Sequence, residues 1–162
     1  MDKIDTQYLL QLSSGKDRTL VANFGCGPNA IKEARFVNGL HVIFLPVDKR
    51  DYPGVGVADM EWLSSADDIF DGVMCINALD HTKDAQKAVE ELIRVAKDWV
   101  YINCNLIQKT TSGKGHYWDM LEDGTMTNGT DSFDLKEYGF KLHLIQYGGE
   151  RRYDQVIAIL KK

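Results

Sequence analysis

The feature that most limits how this chain can fold is a short apolar segment that ends abruptly at two glycines. Residues 19–24 (TLVANF) have the composition of a buried strand, and Gly25-Cys26-Gly27 follow them directly. Pro28 then suits the first position of a helix, where its missing N–H costs nothing. We therefore expect a strand, a tight turn and a helix, with glycines that let backbone N–H groups approach a ligand.

Apolar runs of strand length alternate with helical patterns through most of the remaining sequence. After the first strand, runs typical of buried strands occupy four segments: residues 40–47, 55–58, 70–77 and 99–105. Apolar residues at spacings of three and four predict helices over 30–37 and 85–96. This alternation indicates an α/β fold with a mostly parallel sheet, and a length of 162 residues suits a single domain over residues 1–162.

The ends of the chain and one long connection complete the predicted outline. Residues 140–147 and 155–160 are predicted to pair as an antiparallel hairpin across a glycine-containing link. Residues 107–130 are predicted to be an irregular connection with turns at positions 123–124 and 128–129, followed by a short helix near 131–138. An N-terminal helix that covers the domain, or acts as a lid, is predicted from four apolar residues: Ile4, Tyr8, Leu9 and Leu12.

Composition narrows the classes of function without selecting one. The chain has 19 Lys and Arg against 24 Asp and Glu, and a net charge of −5 disfavours nucleic-acid backbones as its main partner. Its three cysteines form no CxxC pair, so neither a metal site nor a disulfide framework is predicted. No apolar run reaches the length of a membrane span and no secretory signal is recognisable, so a reducing cytoplasm is the expected location.

Ligands of parallel sheets bind beyond the carboxyl ends of the strands, so residues at these ends are the first candidates for a site. Asp48 ends the second predicted strand, where a carboxylate can accept both hydroxyls of a ribose. The pattern Gly25-x-Gly27-x-x-Ala30 fits a dinucleotide-binding loop. It also resembles the glycine loop of class I S-adenosylmethionine (SAM)-dependent methyltransferases. Pro28 removes one donor that a pyrophosphate could use, which favours SAM.

An ordered set of segments strengthens the resemblance to one family. The segments are DMEWL at 59–63, FDGVM at 70–74, LDHTKD at 79–84 and ELIRV at 91–95. Together with the glycine loop they follow the order and spacing of the small-molecule type of class I methyltransferase, over about residues 19–105. The resemblance implies a three-layer Rossmann-like sandwich, with a mostly parallel seven-stranded sheet and an antiparallel C-terminal hairpin, and SAM as the cofactor.

The resemblance also implies roles for individual residues. Gly25 and Gly27 would lie against the methionine part of SAM, Asp48 would hold the ribose, and Asp59 would accept the adenine amino group. Asn77 would line the pocket for the transferred methyl group. The full set of cofactor-binding residues implied by the resemblance is Asn23, Gly25, Cys26, Gly27, Asp48, Asp59, Met60, Asn77 and Ala78.

A histidine is the predicted catalytic group, because a hydroxyl or amine acceptor must lose its proton when it is methylated. His81 follows the fourth predicted strand and is the leading candidate for the base. His116, in the long connection, is the second candidate. Either could instead be structural, and His41 and His143 are predicted to be structural because they lie in strand patterns.

The predicted function is methyl transfer from SAM to a small-molecule or sugar-like acceptor at an open site. Neither a nucleic acid nor a membrane is the predicted partner, and the oligomeric state is left open. Two alternatives remain. One is an NAD-binding oxidoreductase that uses the same glycine loop. The other is a methyltransferase-like binding module or subunit without turnover, suggested by Asn23 and Asn29 where the family often has aspartate and a third glycine.

Overall fold

The computed structural model describes residues 3–28, 42–106, 115–147 and 154–162. The helix predicted over 30–37 and the hairpin link at 148–152 lie outside these residues. The described helices are α1 (Lys3–Leu12) and α2 (Ala85–Val95), with short 3₁₀ turns at Leu79–His81 and Leu135–Tyr138. The described strands are β1 (Thr19–Phe24), β2 (Val42–Asp48), β3 (Gly56–Val57), β4 (Phe70–Ile76), β5 (Ala96–Asn105), β6 (Asp119–Met120), β7 (Thr125–Thr127), β8 (Ser132–Asp134), β9 (Lys141–Ile145) and β10 (Gln155–Lys161).

Seven of these strands form one sheet in the order β3-β2-β1-β4-β5-β10-β9. Each neighbouring pair from β3 to β5 is parallel, whereas β10 runs antiparallel to both β5 and β9. The mostly parallel seven-stranded sheet and the antiparallel C-terminal pair predicted from the sequence are confirmed. The strand order reverses at β1, which leaves a crevice at the carboxyl ends of β1 and β4.

Helix α2 covers one face of the sheet, and local sequence explains why it forms. The carboxylate of Asp84 caps its first turn by accepting a hydrogen bond from the Lys87 backbone N–H at 3.0 Å. Apolar residues then recur on a single side of the helix. Those that are buried are Ala85, Ala88, Val89, Leu92 and Val95.

Helix α1 covers the opposite face and is a packed layer of the domain. Leu9 is fully buried in an apolar cluster with Val21, Met74 and Tyr101 from the central strands. The buried Asp5 accepts hydrogen bonds from the Tyr101 hydroxyl at 2.6 Å and from the Asn103 side-chain amide at 2.7 Å. The prediction of a covering helix is therefore confirmed, and buried polar contacts as well as apolar ones hold the helix to the sheet.

The segment 115–138 corrects two predictions. Strands β6, β7 and β8 form a separate antiparallel sheet where the sequence predicted an irregular connection, and the predicted turns join these strands. The helix predicted near 131–138 is strand β8 followed by a 3₁₀ turn that ends at Gly139, with a φ of +88°. Strands of two or three residues are too short to show a period-two pattern in the sequence. Burial of the Met126 and Phe133 side chains stabilises them instead.

Neither helix in the described part of the chain combines the length and apolar character needed to cross a membrane.

Gly72 in β4 provides a test of how tightly the sheet packs. An ideal Cβ at Gly72 would lie 2.1 Å from the ring of the buried Trp99, its partner in the neighbouring strand β5. Gly72→Ala should therefore lower the free energy of unfolding by about 1–3 kcal/mol, as overpacking does. Urea denaturation measures the loss. Gly56→Ala, whose Cβ would lie no closer than 3.5 Å to any described neighbour, is the control, and equal losses in both variants would contradict the prediction.

Candidate functional site

The turn that follows β1 is built around two glycines with left-handed backbones. Gly25 and Gly27 have φ values of +69° and +66°, a region that favours glycine. An ideal Cβ at Gly25 would lie 2.3 Å from the Ala78 Cβ and 3.0 Å from the Met60 Cε. Both the left-handed backbone and the lack of space for a Cβ therefore favour glycine at position 25. The close contact brings the end of β1 against the residues after β4.

Asp48, the last residue of β2, is buried, and its carboxylate hydrogen-bonds to this turn. Its Oδ2 accepts a hydrogen bond from the Gly27 N–H at 2.9 Å, and its Oδ1 accepts one from the Arg50 N–H at 2.9 Å. A carboxylate offers about four lone-pair positions, so Asp48 keeps roughly two for a ligand. The carboxylate both positions the glycine turn and remains able to accept from hydroxyl groups.

The segment that carries Asp59 and Met60 is fixed to α2 by a charged pair. Glu91 Oε2 accepts a hydrogen bond from the Leu63 N–H at 3.0 Å, and Arg94 donates to the Leu63 carbonyl at 2.9 Å. Arg94 also donates to the Glu91 carboxylate, which holds the pKa of Glu91 below its usual value. The Glu-x-x-Arg motif of α2 therefore determines where the segment after β3 lies.

Asn77 follows β4 with a φ of +49°, a left-handed conformation that asparagine tolerates better than most residues. Its backbone N–H donates to the Asn103 carbonyl at 2.7 Å, and its side-chain Oδ1 accepts from the Asn105 N–H at 3.1 Å. Both bonds attach the end of β4 to β5. They hold the sharp change of direction that places Ala78 against the glycine turn.

These strand ends surround a cavity of about 410 Å³, within the range of small-molecule sites. Eight of the residues singled out from the sequence line this cavity: Gly25, Gly27, Asp48, Asp59, Met60, Asn77, Ala78 and His81. Three do not. Asn23 is buried inside β1, Cys26 lies in the turn, and His116 contacts the ring of His81 from outside the cavity lining.

Several cavity residues were not singled out from the sequence. They are Pro28, Lys49, Arg50, Tyr52, Ala58, Thr82, Gly115 and Tyr117. Most of them lie next to a predicted site residue along the chain, so position beside a strand end was the available signal. Gly115 and Tyr117 flank the predicted His116, but only the tertiary fold brings their segment to the cavity. The Tyr117 N–H donates to the Asp80 carbonyl at 2.8 Å, which holds that segment against the end of β4.

Asp80, His81 and His116 form a cluster at one wall of the cavity. His81 Nδ1 lies 2.6 Å from the Gly115 carbonyl oxygen. A carbonyl only accepts, so Nδ1 carries the hydrogen and Nε2 holds the lone pair of the neutral ring. His116 Nδ1 lies 2.5 Å from Asp80 Oδ2, and the two imidazole rings are 4.2 Å apart.

The buried cysteines close to this wall are not nucleophiles. Burial, and secondarily the charge of Asp80, raises the pKa of the Cys75 thiol to about 12. The same two causes raise the pKa of Cys104 well above its ordinary value. Thiols with such pKa values stay protonated at neutral pH, and the thiolate is the reactive form. The chemistry available at this wall therefore comes from imidazoles and a carboxylate.

The sheet order, the glycine turn and the cavity at the strand ends together define a Rossmann-like domain, and class I methyltransferases share this architecture. The family described as "Methyltransferase domain" matches residues 24–102. The family resemblance predicted from the sequence is thereby confirmed. A search of curated proteins found no match to this sequence.

Solved structures share this fold. A SAM-dependent methyltransferase from Methanosarcina mazei matches with a TM-score of 0.59 and 14% identity, covering 100% of this chain and 98% of its own. A SAM-dependent methyltransferase from Aquifex aeolicus matches with a TM-score of 0.59 and 15% identity, covering 96% and 89%. A protein from Anabaena variabilis, provisionally described as a methyltransferase of an antibiotic biosynthesis pathway, gives a TM-score of 0.54 and 18% identity. The match covers 68% of this chain and 50% of the Anabaena chain, so this chain spans about half of that protein.

The two glycines of the turn should respond differently to substitution. Alanine at either position incurs the left-handed backbone cost, about 1–2 kcal/mol. Gly25→Ala should lose roughly a further 1–3 kcal/mol, because its Cβ would overlap Ala78, whereas a Cβ at Gly27 would meet nothing within 4 Å among the residues that the structure describes. Urea unfolding of the two variants measures the difference. A loss at Gly27 as large as the loss at Gly25 would show that the Ala78 contact is unimportant.

Proposed function

We propose that this chain, acting as a single domain over residues 1–162, transfers a methyl group from SAM to a small-molecule or sugar-like acceptor. The observation that carries the proposal is the cavity at the carboxyl ends of β1, β2 and β4, bounded by Gly25, Asp48 and Ala78. The fold and the family match support methyltransferase chemistry in general. The cofactor and the acceptor class are the finer part of the proposal.

The residues around the cavity suit SAM. The bare backbone at Gly25 allows close approach of the methionine part, and the lone pairs that remain on Asp48 suit ribose hydroxyls. Asp59 would accept the adenine amino group beside the apolar Met60. When bound, SAM supplies a methyl group on a positively charged sulfur, a good leaving group. The protein would then contribute mainly by holding the acceptor in line with that methyl group.

His81 is the proposed general base for a hydroxyl or amine acceptor. It lines the cavity, and its Nδ1–H is held by the Gly115 carbonyl, so Nε2 is the atom that can take a proton. His116 is the second candidate, and Asp80 orients it through its Nδ1. A base within reach of the cavity would remove the acceptor proton as the acceptor lone pair attacks.

The entrance to the cavity supports a small acceptor at an open site. Tyr117 lines the cavity and is 52% exposed, so the wall beside His81 is accessible to solvent. The sheet order also favours SAM over a dinucleotide. In the common dinucleotide-binding fold the strand beside the fifth is a sixth, parallel strand. Here the strand beside β5 is the antiparallel β10, which lies between β5 and β9.

The cofactor class is tested by thermal unfolding with SAM, S-adenosylhomocysteine, NAD or NADH. A ligand at 100 times its dissociation constant stabilises a protein by about 2.7 kcal/mol. In a domain of this size that energy raises Tm by roughly 5–10 °C. We expect this shift with the two adenosyl sulfur compounds only. A shift with NAD or NADH alone would replace the proposal with an oxidoreductase, and no shift with any of the four would favour a binding module without turnover.

The role of Asp48 is tested by calorimetric titration of SAM into Asp48→Ala. Loss of charge-assisted hydrogen bonds to the ribose should weaken binding by roughly 1.5–3 kcal/mol. Asp51→Ala is the matched control, since Asp51 is an exposed carboxylate three positions along that does not line the cavity. Unchanged affinity in Asp48→Ala, with circular dichroism showing a folded protein, would remove Asp48 from the site.

A further inference from the structure

We propose that Asp80, His81 and His116 bind a divalent transition-metal ion beside the cavity. Each residue offers one ligand atom, and the three atoms lie within 4.8 Å of one another. Two imidazoles and one carboxylate form a donor set that suits zinc, ferrous iron and neighbouring divalent ions, and three protein ligands leave a coordination position open. No residue proposed to contact SAM takes part, so binding of the ion does not depend on the proposed cofactor.

His81 already has the orientation of a metal ligand. Its Nδ1–H donates to the Gly115 carbonyl at 2.6 Å, and metal-binding histidines commonly use the other ring nitrogen in this way. The lone pair on Nε2 is then free to bind an ion. His81 Nε2 lies 3.8 Å from Asp80 Oδ2, close to the spacing of about 3.3 Å between two ligand atoms on a tetrahedral zinc ion.

Asp80 supplies a second, independent observation. Its side chain is only 14% exposed, and Oδ2 is the oxygen that faces both histidines. Oδ1 of the same carboxylate is buried with no hydrogen-bond partner in the part of the chain that the structure describes, so an ion would satisfy it by binding both oxygens. A buried carboxylate oxygen without a partner is costly to stability.

His116 needs one rearrangement to join the site. Its Nδ1 now lies 2.5 Å from Asp80 Oδ2, with a hydrogen between the two atoms. For the ion to take that position, the ring must change tautomer so that its hydrogen moves to Nε2 through solvent and Nδ1 presents a lone pair. The two ligand atoms must then separate by roughly 0.8 Å to reach tetrahedral spacing.

The position of the cluster suggests what the ion would do. His81 lines the cavity, so the open coordination position would face a molecule bound there. With its Nε2 on the ion, His81 would act as a ligand and would no longer be the proton acceptor. The cation would instead lower the pKa of a coordinated hydroxyl and so ease loss of the acceptor proton to solvent. This consequence rests on the proposed function, whereas binding of the ion does not.

Cobalt(II) titration of the full chain, after removal of metals with EDTA, tests the site. Cobalt reports its coordination through visible absorption bands, and calorimetry gives stoichiometry and affinity. We expect one equivalent to bind and zinc to displace it. His81→Ala, His116→Ala and Asp80→Asn should each weaken binding by at least about 100-fold, because loss of an outer hydrogen-bond partner alone costs 10–100-fold. His143→Ala is the matched control, since His143 lies in β9 beside the ring of Tyr8.

Three outcomes would overturn the site. They are no saturable binding of cobalt or zinc by the wild-type chain, unchanged affinity in the cluster variants, or a cobalt–thiolate absorption band that shows cysteine ligation. His116→Gln, with circular dichroism of every variant, guards against loss of folding. Calorimetry with SAM on the same variants separates the two proposals. Lost metal binding with intact SAM binding in a cluster variant would support the metal site, whereas a wild-type chain that binds cobalt but not SAM would count only against the cofactor.

Discussion

The parallel pairing of β1 with both β2 and β4 is the constraint on which the site depends. The register places Phe24 beside Val47 on one side and beside Cys75 on the other. Each strand then ends within two residues, at the same edge of the sheet. That edge collects a glycine turn from β1, a carboxylate from β2 and an asparagine in a left-handed conformation after β4. A change of one residue in either register would separate these groups.

Helix α2 connects this edge to the stability of the domain. Its apolar side is buried against the sheet, and a fully buried leucine such as Leu92 contributes roughly 1.5–3 kcal/mol. Its polar side carries Glu91 and Arg94, which hold the segment that contains Asp59 and Met60. The position of the cavity wall is thus secured by the same helix that covers the core.

Sequence patterns correctly predicted the strands and helices that have a clear apolar run or periodicity of their own. Strand β1 has the predicted bounds, and β4, α2 and β10 differ from prediction by only one residue at an end. Strand β5 begins three residues earlier than predicted, at Ala96, where its pairing with β4 is irregular and no residue pattern marks the start. The small sheet β6-β7-β8 was missed because its strands are too short for periodicity to appear, and its existence depends on apolar contacts made across the fold.

The order of strands and the residue types at their ends could be inferred from the chain alone, since composition and spacing report which segments are buried and where each stops. Only the tertiary structure determined which of those residues lie close together. Asp80 and His116 are 36 positions apart, and nothing along the chain places them together. They meet because the Tyr117 and Trp118 N–H groups both donate to the Asp80 carbonyl and bring that segment to the end of β4. Distance along a chain does not set distance in space, because hydrogen bonds and burial between remote segments do.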